Sequence, residues 1–154
     1  MLKYTGTKKQ TKGDLRMVNV IMGKKGSGKT QRIIDLVNTA ANEEAGNVVC
    51  IEKGENLRFN IKYSAKLINI EEYKLALSYD SLYAFVCGLY AGNYDITHVF
   101  IDGLYRIADD SDAEHAAAFL EKIDKFSCKQ GVKITVTVSG EAETAPETLK
   151  RYFI

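Results

Sequence analysis

Two kinds of hydrophobic pattern alternate along the chain. In one, apolar residues follow one another without interruption, and in the other they recur every three or four positions. Short uninterrupted runs are typical of strands buried on both faces of a parallel sheet, whereas the longer period is typical of helices with one buried face. Apolar runs close to the first kind predict strands at 18–22, 47–51, 66–70, 96–102 and 132–138; the run at 48–51 is unbroken, and polar residues stand within the others. A weaker extended pattern lies at 59–63.

Helical periodicity fills most of the intervals between these strands. Four helices are predicted. The first runs from about Lys29 to Gly46, and the second follows a cap at Asp80 or Ser81 and ends at Gly92. The third runs from a capping box of Ser111 and Glu114 to about Gly131, and a short fourth helix, with Thr144 as its cap, runs from Pro146 to about Tyr152. Because strands and helices alternate, we expect right-handed crossovers and a three-layer α/β fold around a mainly parallel central sheet.

The first 16 residues differ from the rest of the chain. They carry five lysine or arginine side chains against Asp14 and few residues that could pack in a core. Residues 1–16 are therefore predicted to be a flexible basic arm, and residues 17–154 a single domain. Two alternatives are that Met17 is the natural start, or that the arm binds an acidic partner or nucleic acid.

Composition narrows the class of protein. A net charge of +1 gives no overall electrostatic footprint for nucleic acid, so nucleic acid is an unlikely partner. Three cysteines without metal-type spacing indicate buried reduced thiols. Since no apolar run is long enough to span a membrane, a cytoplasmic protein without a membrane partner is expected.

The segment GKKGSGKT matches the phosphate-binding pattern G-x-x-x-x-G-K-[ST], with a predicted strand before it and a helix after it. Glycines let backbone N–H groups turn toward phosphates, Lys29 would contact terminal phosphate oxygens, and the Thr30 hydroxyl would bind Mg²⁺. Lys24 and Lys25 are expected to face solvent, with phosphate contact as the alternative. The predicted phosphate-binding residues are Gly23, Lys24, Lys25, Gly26, Ser27, Gly28, Lys29 and Thr30.

Asp102 ends an apolar strand, where ligands of parallel sheets bind. Its carboxylate is the predicted second magnesium contact beside Thr30. The alternative is a structural aspartate that caps the turn before Gly103. His98, inside the same strand, is expected to be a hydrogen-bonded core residue and not a ligand.

From Val18 to Tyr152 the chain resembles the P-loop NTPase superfamily. The resemblance rests on the loop at 23–30 and on the strand ending at Asp102. It is also similar to small stand-alone bacterial P-loop proteins loosely labelled twitching-motility ATPases. The resemblance implies nucleotide binding, not motility, and a RecA-like strand order.

The RecA-like resemblance also implies roles for residues outside the loop. Gly103 occupies the position where many P-loop ATPases have a catalytic glutamate, so the general base is expected at Glu52, with Glu55 in reserve. Ser139 matches the polar position that senses the γ-phosphate. Arg106 and Arg58 are the arginines near strand ends that could meet a γ-phosphate, within one chain or across a subunit interface.

These features predict Mg²⁺-dependent binding of a nucleoside triphosphate, with ATP favoured, and slow or partner-stimulated hydrolysis. The partner would be another protein or a second copy of the chain. Two alternatives remain. One is a small nucleoside-type kinase, and the other is a non-catalytic nucleotide-sensing switch in which residues 57–70 move.

Overall fold

The computed structural model of the protein describes residues 16–154. The predicted basic arm therefore falls outside the described residues, except for Arg16, whose guanidinium donates a hydrogen bond to the Phe153 carbonyl at 3.0 Å. The strands are β1 Val18–Gly23, β2 Asn47–Glu52, β3 Ala65–Asn69, β4 Ile96–Ile101 and β5 Lys133–Ser139. The helices are α1 Lys29–Glu43, α2 Tyr79–Gly92, α3 Leu104–Ala108, α4 Ala113–Gln130 and α5 Glu147–Lys150, with a 3-10 helix at Ile70–Tyr73.

All five strands belong to one parallel sheet with the order β1-β5-β4-β2-β3. This confirms the predicted α/β class and makes the described sheet entirely parallel. In the register, Gly23 lies opposite Ser139, and Ile101 lies opposite both Ile51 and Val136. The residues that follow these strands therefore meet at one edge of the sheet.

Successive side chains of each strand point to opposite faces of the sheet and form two separate hydrophobic clusters. Val48 and Cys50 of β2 pack in a cluster with α1, whereas Val49 and Ile51 belong to the larger cluster that includes residues of α2 and α4. Because successive strand residues point to opposite faces, α1 covers one face of the sheet and α2 and α4 cover the other. The result is the predicted three-layer arrangement.

The predicted helix caps were wrong at three positions. Thr144 does not cap α5, because the residue before that helix is Pro146 and no side chain of the described residues bonds its first amides. Ser78 caps α2, where its hydroxyl accepts a hydrogen bond from the Ser81 amide at 3.0 Å, so the cap is neither Asp80 nor Ser81. Asp112, not Ser111, caps α4. Several polar residues cluster before each helix, and only the backbone path decides which of them reaches the free amides of the first turn.

Three other segments differ from the elements predicted from the sequence. The extended pattern at 59–63 lies in an irregular loop at 53–64 and forms no strand. Helix α3 was not predicted, because five residues are too few to show a helical period. Helix α5 ends at Lys150, since the following chain pairs beside β1, where the Val20 amide donates to the Tyr152 carbonyl at 2.8 Å.

Within the described residues, none of the helices is both long and apolar enough to cross a bilayer.

Candidate functional site

The loop between β1 and α1 has the backbone that anion binding requires. Gly26 and Gly28 adopt left-handed φ angles of 82° and 94°, which residues with a Cβ rarely adopt. Gly28 immediately precedes α1, and no side chain caps this helix end among the described residues. The amides of the first helical turn therefore remain available, together with the positive end of the helix dipole.

This loop borders a cleft of about 560 Å³ at the carboxyl ends of the strands. The volume lies within the range of about 300–1,000 Å³ typical of small-molecule sites. Seven of the predicted site residues line it: Lys25, Gly26, Gly28, Lys29, Thr30, Asp102 and Ser139. Gly103, Tyr105, Arg106 and Thr137 complete the lining.

Lys29 is partly buried at the base of the cleft. Its ammonium donates a hydrogen bond to the Lys24 carbonyl at 3.0 Å. Burial lowers the pKa of Lys29, and the nearby negative charge of Asp102 partly offsets this effect. The ammonium is thus incompletely hydrated, so an incoming anion would have less water to displace from it.

Asp102 is buried and held in a fixed orientation. Its Oδ1 atom accepts a hydrogen bond from the Thr137 hydroxyl at 2.7 Å, and the same hydroxyl accepts one from the Gly103 amide at 2.8 Å. Sequence reasoning missed Thr137, although the alternation I-T-V-T-V before Ser139 places its threonines on one face. Thr137 acts through Asp102 and is therefore a positioning residue.

The cleft can accommodate a hydrated divalent cation. Mg²⁺ in nucleotide sites keeps several waters and uses one or two protein oxygens together with substrate phosphates. Thr30 and Asp102 both line the cleft and supply such oxygens. A metal site formed by protein side chains alone would need three or more His, Cys, Asp or Glu residues close together. Residues 16–154 contain no such group.

Glu52 lies beside Asp102 but does not line the cleft. It is 1% exposed, and its carboxylate accepts hydrogen bonds from the amides of Asn56 at 3.0 Å and Leu57 at 3.2 Å. Burial raises the pKa of Glu52 despite these amides. The structure therefore brings Glu52 next to the cleft with its oxygens directed to the 53–64 loop.

The remaining predicted residues divide between the loop and its surroundings. Gly23 and Ser27 shape the backbone: the Gly23 carbonyl accepts from the Gly140 amide, and the Ser27 amide donates to the Lys24 carbonyl, both at 3.0 Å. The Lys24 ammonium lies 3.3 Å from Glu141 and outside the cleft.

The two candidate arginines differ in position. Arg106 lines the cleft, and a Cβ added at Gly103 would lie 2.8 Å from its guanidinium. Gly103 thus leaves space for the Arg106 guanidinium. Arg58 pairs with Glu55 at 2.5 Å, and neither of these two residues lines the cleft.

A second polar cluster lies at the amino ends of the strands, on the opposite edge of the sheet. His98 contacts the Glu44 carboxylate through Nδ1 and the Thr135 hydroxyl through Nε2, each at 2.8 Å, and Lys133 lies 2.7 Å from Glu44. Burial lowers the pKa of His98, which favours the neutral ring. The prediction of a hydrogen-bonded core histidine is confirmed.

Glu44 is the charged centre of this cluster. Burial alone would raise its pKa, but hydrogen bonds from His98, Lys133 and Thr97 outweigh burial and lower the pKa of Glu44 to about 2. The cluster therefore satisfies its own polar groups.

Compared with models of known protein families and with curated protein sequences, the chain matches none of them. The functional conclusion must therefore come from the geometry of the cleft.

Proposed function

We propose that the protein binds a Mg²⁺–nucleoside triphosphate, with ATP favoured, in the cleft beside residues 23–30, and that it is a RecA-like P-loop NTPase. One observation carries the proposal. Backbone amides at the start of a helix, the Lys29 ammonium and two magnesium-type oxygens border the same cleft. Each group matches one part of a magnesium triphosphate.

The strand order supports the RecA-like part of the proposal. Strand β5 lies between β1, which leads into the loop, and β4, which leads into Asp102. In this order Thr137 and Ser139 of β5 line the cleft between the loop at 23–30 and Asp102. A polar group at that position can contact the terminal phosphate, as the resemblance implies for Ser139.

The charges of the cleft favour an anionic ligand. Lys25, Lys29 and Arg106 line it, against the carboxylate of Asp102. Arg106 follows Asp102 by four residues and is exposed, so its guanidinium is free to meet charge on a γ-phosphate.

Hydrolysis by the isolated protein is expected to be slow. A catalytic base must reach the attacking water, but the amides of Asn56 and Leu57 hold the Glu52 carboxylate. A partner that moves the 53–64 loop would release this carboxylate toward Asp102 and stimulate turnover. The same observation favours the second candidate function, a nucleotide-sensing switch without catalysis, in which Glu52 stays bound to the loop.

Lys29→Ala tests the nucleotide site. We expect it to weaken triphosphate binding by at least about 1.5 kcal/mol, roughly the scale of a charge-assisted contact. The measurement is a thermal-shift and calorimetric titration with ATP, GTP, ADP and no ligand, each with and without Mg²⁺. Lys24→Ala is the matched control, because Lys24 belongs to the same loop but pairs with Glu141, and it should bind nearly as tightly as the wild type.

Two results would contradict the proposal. One is equal triphosphate affinity in the wild type and Lys29→Ala. The other is a wild-type protein that none of the nucleotides stabilises in the presence of Mg²⁺.

A further inference from the structure

The loop at 53–64 joins the neighbouring parallel strands β2 and β3 without an intervening helix. It is nevertheless held firmly. Leu57 is fully buried, and the Glu52 carboxylate accepts hydrogen bonds from two amides of the loop. The Asn38 side chain of α1 also forms hydrogen bonds with the Asn60 carbonyl and the Lys62 amide, each at 2.9 Å. The side chains that this loop presents to solvent are therefore displayed from an anchored backbone.

Two of those displayed side chains are aromatic. Phe59 is 87% exposed and Tyr63 is fully exposed. Burial of apolar surface normally stabilises the folded state, but folding leaves both rings largely in contact with water. Two such rings on one anchored loop indicate a contact surface for a partner.

Cations alternate with these aromatic rings. We define the 53–66 surface as this loop together with the first two residues of β3. By sequence it carries four cations, Lys53, Arg58, Lys62 and Lys66, against one carboxylate, Glu55, and hence a net charge of +3. The Lys53 ammonium lies toward the cleft, where it donates to the Arg106 carbonyl at 3.4 Å, so Arg58, Lys62 and Lys66 are the cations available to a partner. The Arg58 guanidinium lies 4.9 Å from the centre of the Phe59 ring.

The combination identifies the chemistry of the partner. Lysine is depleted in protein–protein interfaces, so a lysine-rich aromatic surface fits a polyanion better than another protein. Single-stranded nucleic acids bind where bases stack on exposed aromatic rings and cations follow the phosphates. The 53–66 surface offers both contacts within a few residues of each other.

A groove of about 710 Å³ adjoins this surface. Tyr63 and Lys66 form part of its wall, and Gly88 and Gly92 of α2 leave its other side open. A stacked base at Tyr63 would have apolar space beside it, with Lys66 available for a phosphate.

From these observations we infer that the 53–66 surface binds single-stranded nucleic acid, through base stacking on Phe59 and Tyr63 and phosphate contacts to Arg58, Lys62 and Lys66. The net charge of +1 for the whole chain conceals this surface, because the average over 154 residues cancels a local charge of +3. The expectation of no nucleic-acid partner rested on that average.

The surface is connected to the cleft through Glu52, and this part of the inference rests on the proposed nucleotide function. Glu52 bonds the loop amides and lies beside Asp102 in the sheet. A strand of nucleic acid that displaces the loop would loosen these bonds and free a carboxylate next to the cleft. Nucleic acid is thus the partner that would stimulate hydrolysis.

Fluorescence anisotropy of the full chain with a labelled oligothymidylate of about 20 nucleotides tests the binding surface. Phe59→Ala combined with Tyr63→Ala should weaken binding by at least about tenfold, because each lost stacking contact reduces affinity several-fold. Tyr94→Ala removes another exposed ring, which lies just beyond the end of α2 beside Tyr90, and is the matched control, with unchanged binding expected.

The charge contacts are tested by salt dependence. Lys62→Ala should lower the slope of log affinity against log salt by about 0.7, the value for one phosphate contact on a single strand. Lys129→Ala, an exposed lysine of α4 outside the surface, should leave the slope unchanged. Hydrolysis of ATP with and without the oligonucleotide then tests the coupling, with stimulation expected for the wild type and lost in the Phe59→Ala, Tyr63→Ala protein.

Several results would overturn the inference. Absence of oligonucleotide binding at low salt would do so, as would binding that survives the double substitution, which would point to residues 1–16. Altered self-association of the double variant without oligonucleotide binding would identify a protein interface instead. Nucleotide titrations on the same samples separate these outcomes from failure of the proposed function, because Lys29 lies outside the 53–66 surface.

Discussion

The two ends of the central sheet both carry polar side chains, but they use them differently. At the amino ends of the strands, Glu44, His98, Lys133 and Thr135 bond one another. At the carboxyl ends, Lys29 and its neighbours line an open cleft. Residues of similar chemistry thus form a closed network at one end and a cleft with free capacity at the other.

This difference separates stabilising polar groups from binding groups. Buried polar groups that satisfy one another contribute to the fold and have no free capacity for a ligand. Groups that line an open cleft, with a partly buried ammonium and helix-start amides that no side chain of the described residues caps, are arranged for a partner. Glu52 is the exception, because it lies at the cleft end but is hydrogen-bonded as completely as the groups of the opposite end.

Glu52→Gln tests this exception and has the largest expected effect. If Glu52 is the general base once the loop moves, the substitution should lower stimulated turnover by about 10²–10⁴-fold, because glutamine cannot take a proton. Triphosphate affinity and the melting temperature should change little, since the amide oxygen can still accept the loop hydrogen bonds. The measurement is single-turnover hydrolysis of ATP beside a binding titration.

Glu55→Gln serves as the control for that experiment, because Glu55 is exposed and pairs with Arg58. A Glu52→Gln protein that hydrolyses ATP at the wild-type rate would show that Glu52 only anchors the loop. A loss of turnover in Glu55→Gln instead would move the base to Glu55.

Glu44→Ala tests the opposite end and should affect stability without affecting binding. It removes the shared acceptor of His98, Lys133 and Thr97, and we expect the free energy of unfolding to fall by about 2–4 kcal/mol. Urea unfolding measures this change. Glu43→Ala, the exposed neighbouring residue, should change stability by no more than about 0.5 kcal/mol. A comparable loss of nucleotide affinity in Glu44→Ala would contradict the separation of the two ends.

Asp102→Asn sharpens the comparison within the cleft. Asparagine keeps an oxygen for the Thr137 hydroxyl, so the apo melting temperature should stay within about 2 °C of wild type. The lost negative charge should weaken Mg²⁺-dependent nucleotide binding by about tenfold, or about 1.4 kcal/mol. Titrations of nucleotide at several Mg²⁺ concentrations measure this effect. A strongly destabilised apo protein with intact Mg²⁺ dependence would favour a purely structural Asp102.

The smallest expected effect is the pH dependence that His98 gives to stability. Its pKa is lowered in the folded protein, so the unfolded chain binds the proton more readily as pH falls below about 6.5. Protonation therefore favours unfolding, and His98 should reduce stability between pH 7.5 and pH 5.5, as approximate limits, by less than about 1.4 kcal/mol per pH unit. Urea unfolding of wild type and His98→Gln across this range isolates the contribution.

His115 supplies a test of the sign. Its hydrogen bond to Asp110 raises the pKa of His115, so its contribution to stability is present at low pH and is lost as pH rises through the folded pKa. His115→Gln should therefore change the pH slope in the direction opposite to His98→Gln. The same direction in both variants would show that the buried cluster does not control the titration of His98.

Local patterns were sufficient for much of the fold. Runs rich in apolar and β-branched residues located all five strands, because strands of a covered parallel sheet carry few charged residues. The helix after the loop followed from periodicity but ends at Glu43 and not at the predicted Gly46, whereas the helix ending at Gly131 followed from both periodicity and its glycine stop. Where several polar residues stood together, as before α2, the pattern did not identify the cap, since capping depends on the backbone path.

The amino-acid sequence alone predicted the glycine-rich loop between the first strand and helix and the strand that leads into Asp102, because these depend on residues adjacent in the chain. The tertiary structure determined what those residues meet. The strand order brought Thr137 of β5 to Asp102. The path of the 53–64 loop placed the amides of Asn56 and Leu57 at the Glu52 carboxylate, and packing joined Glu44 to His98 across more than 50 residues. Such contacts depend on register and packing between distant segments, which no local pattern encodes.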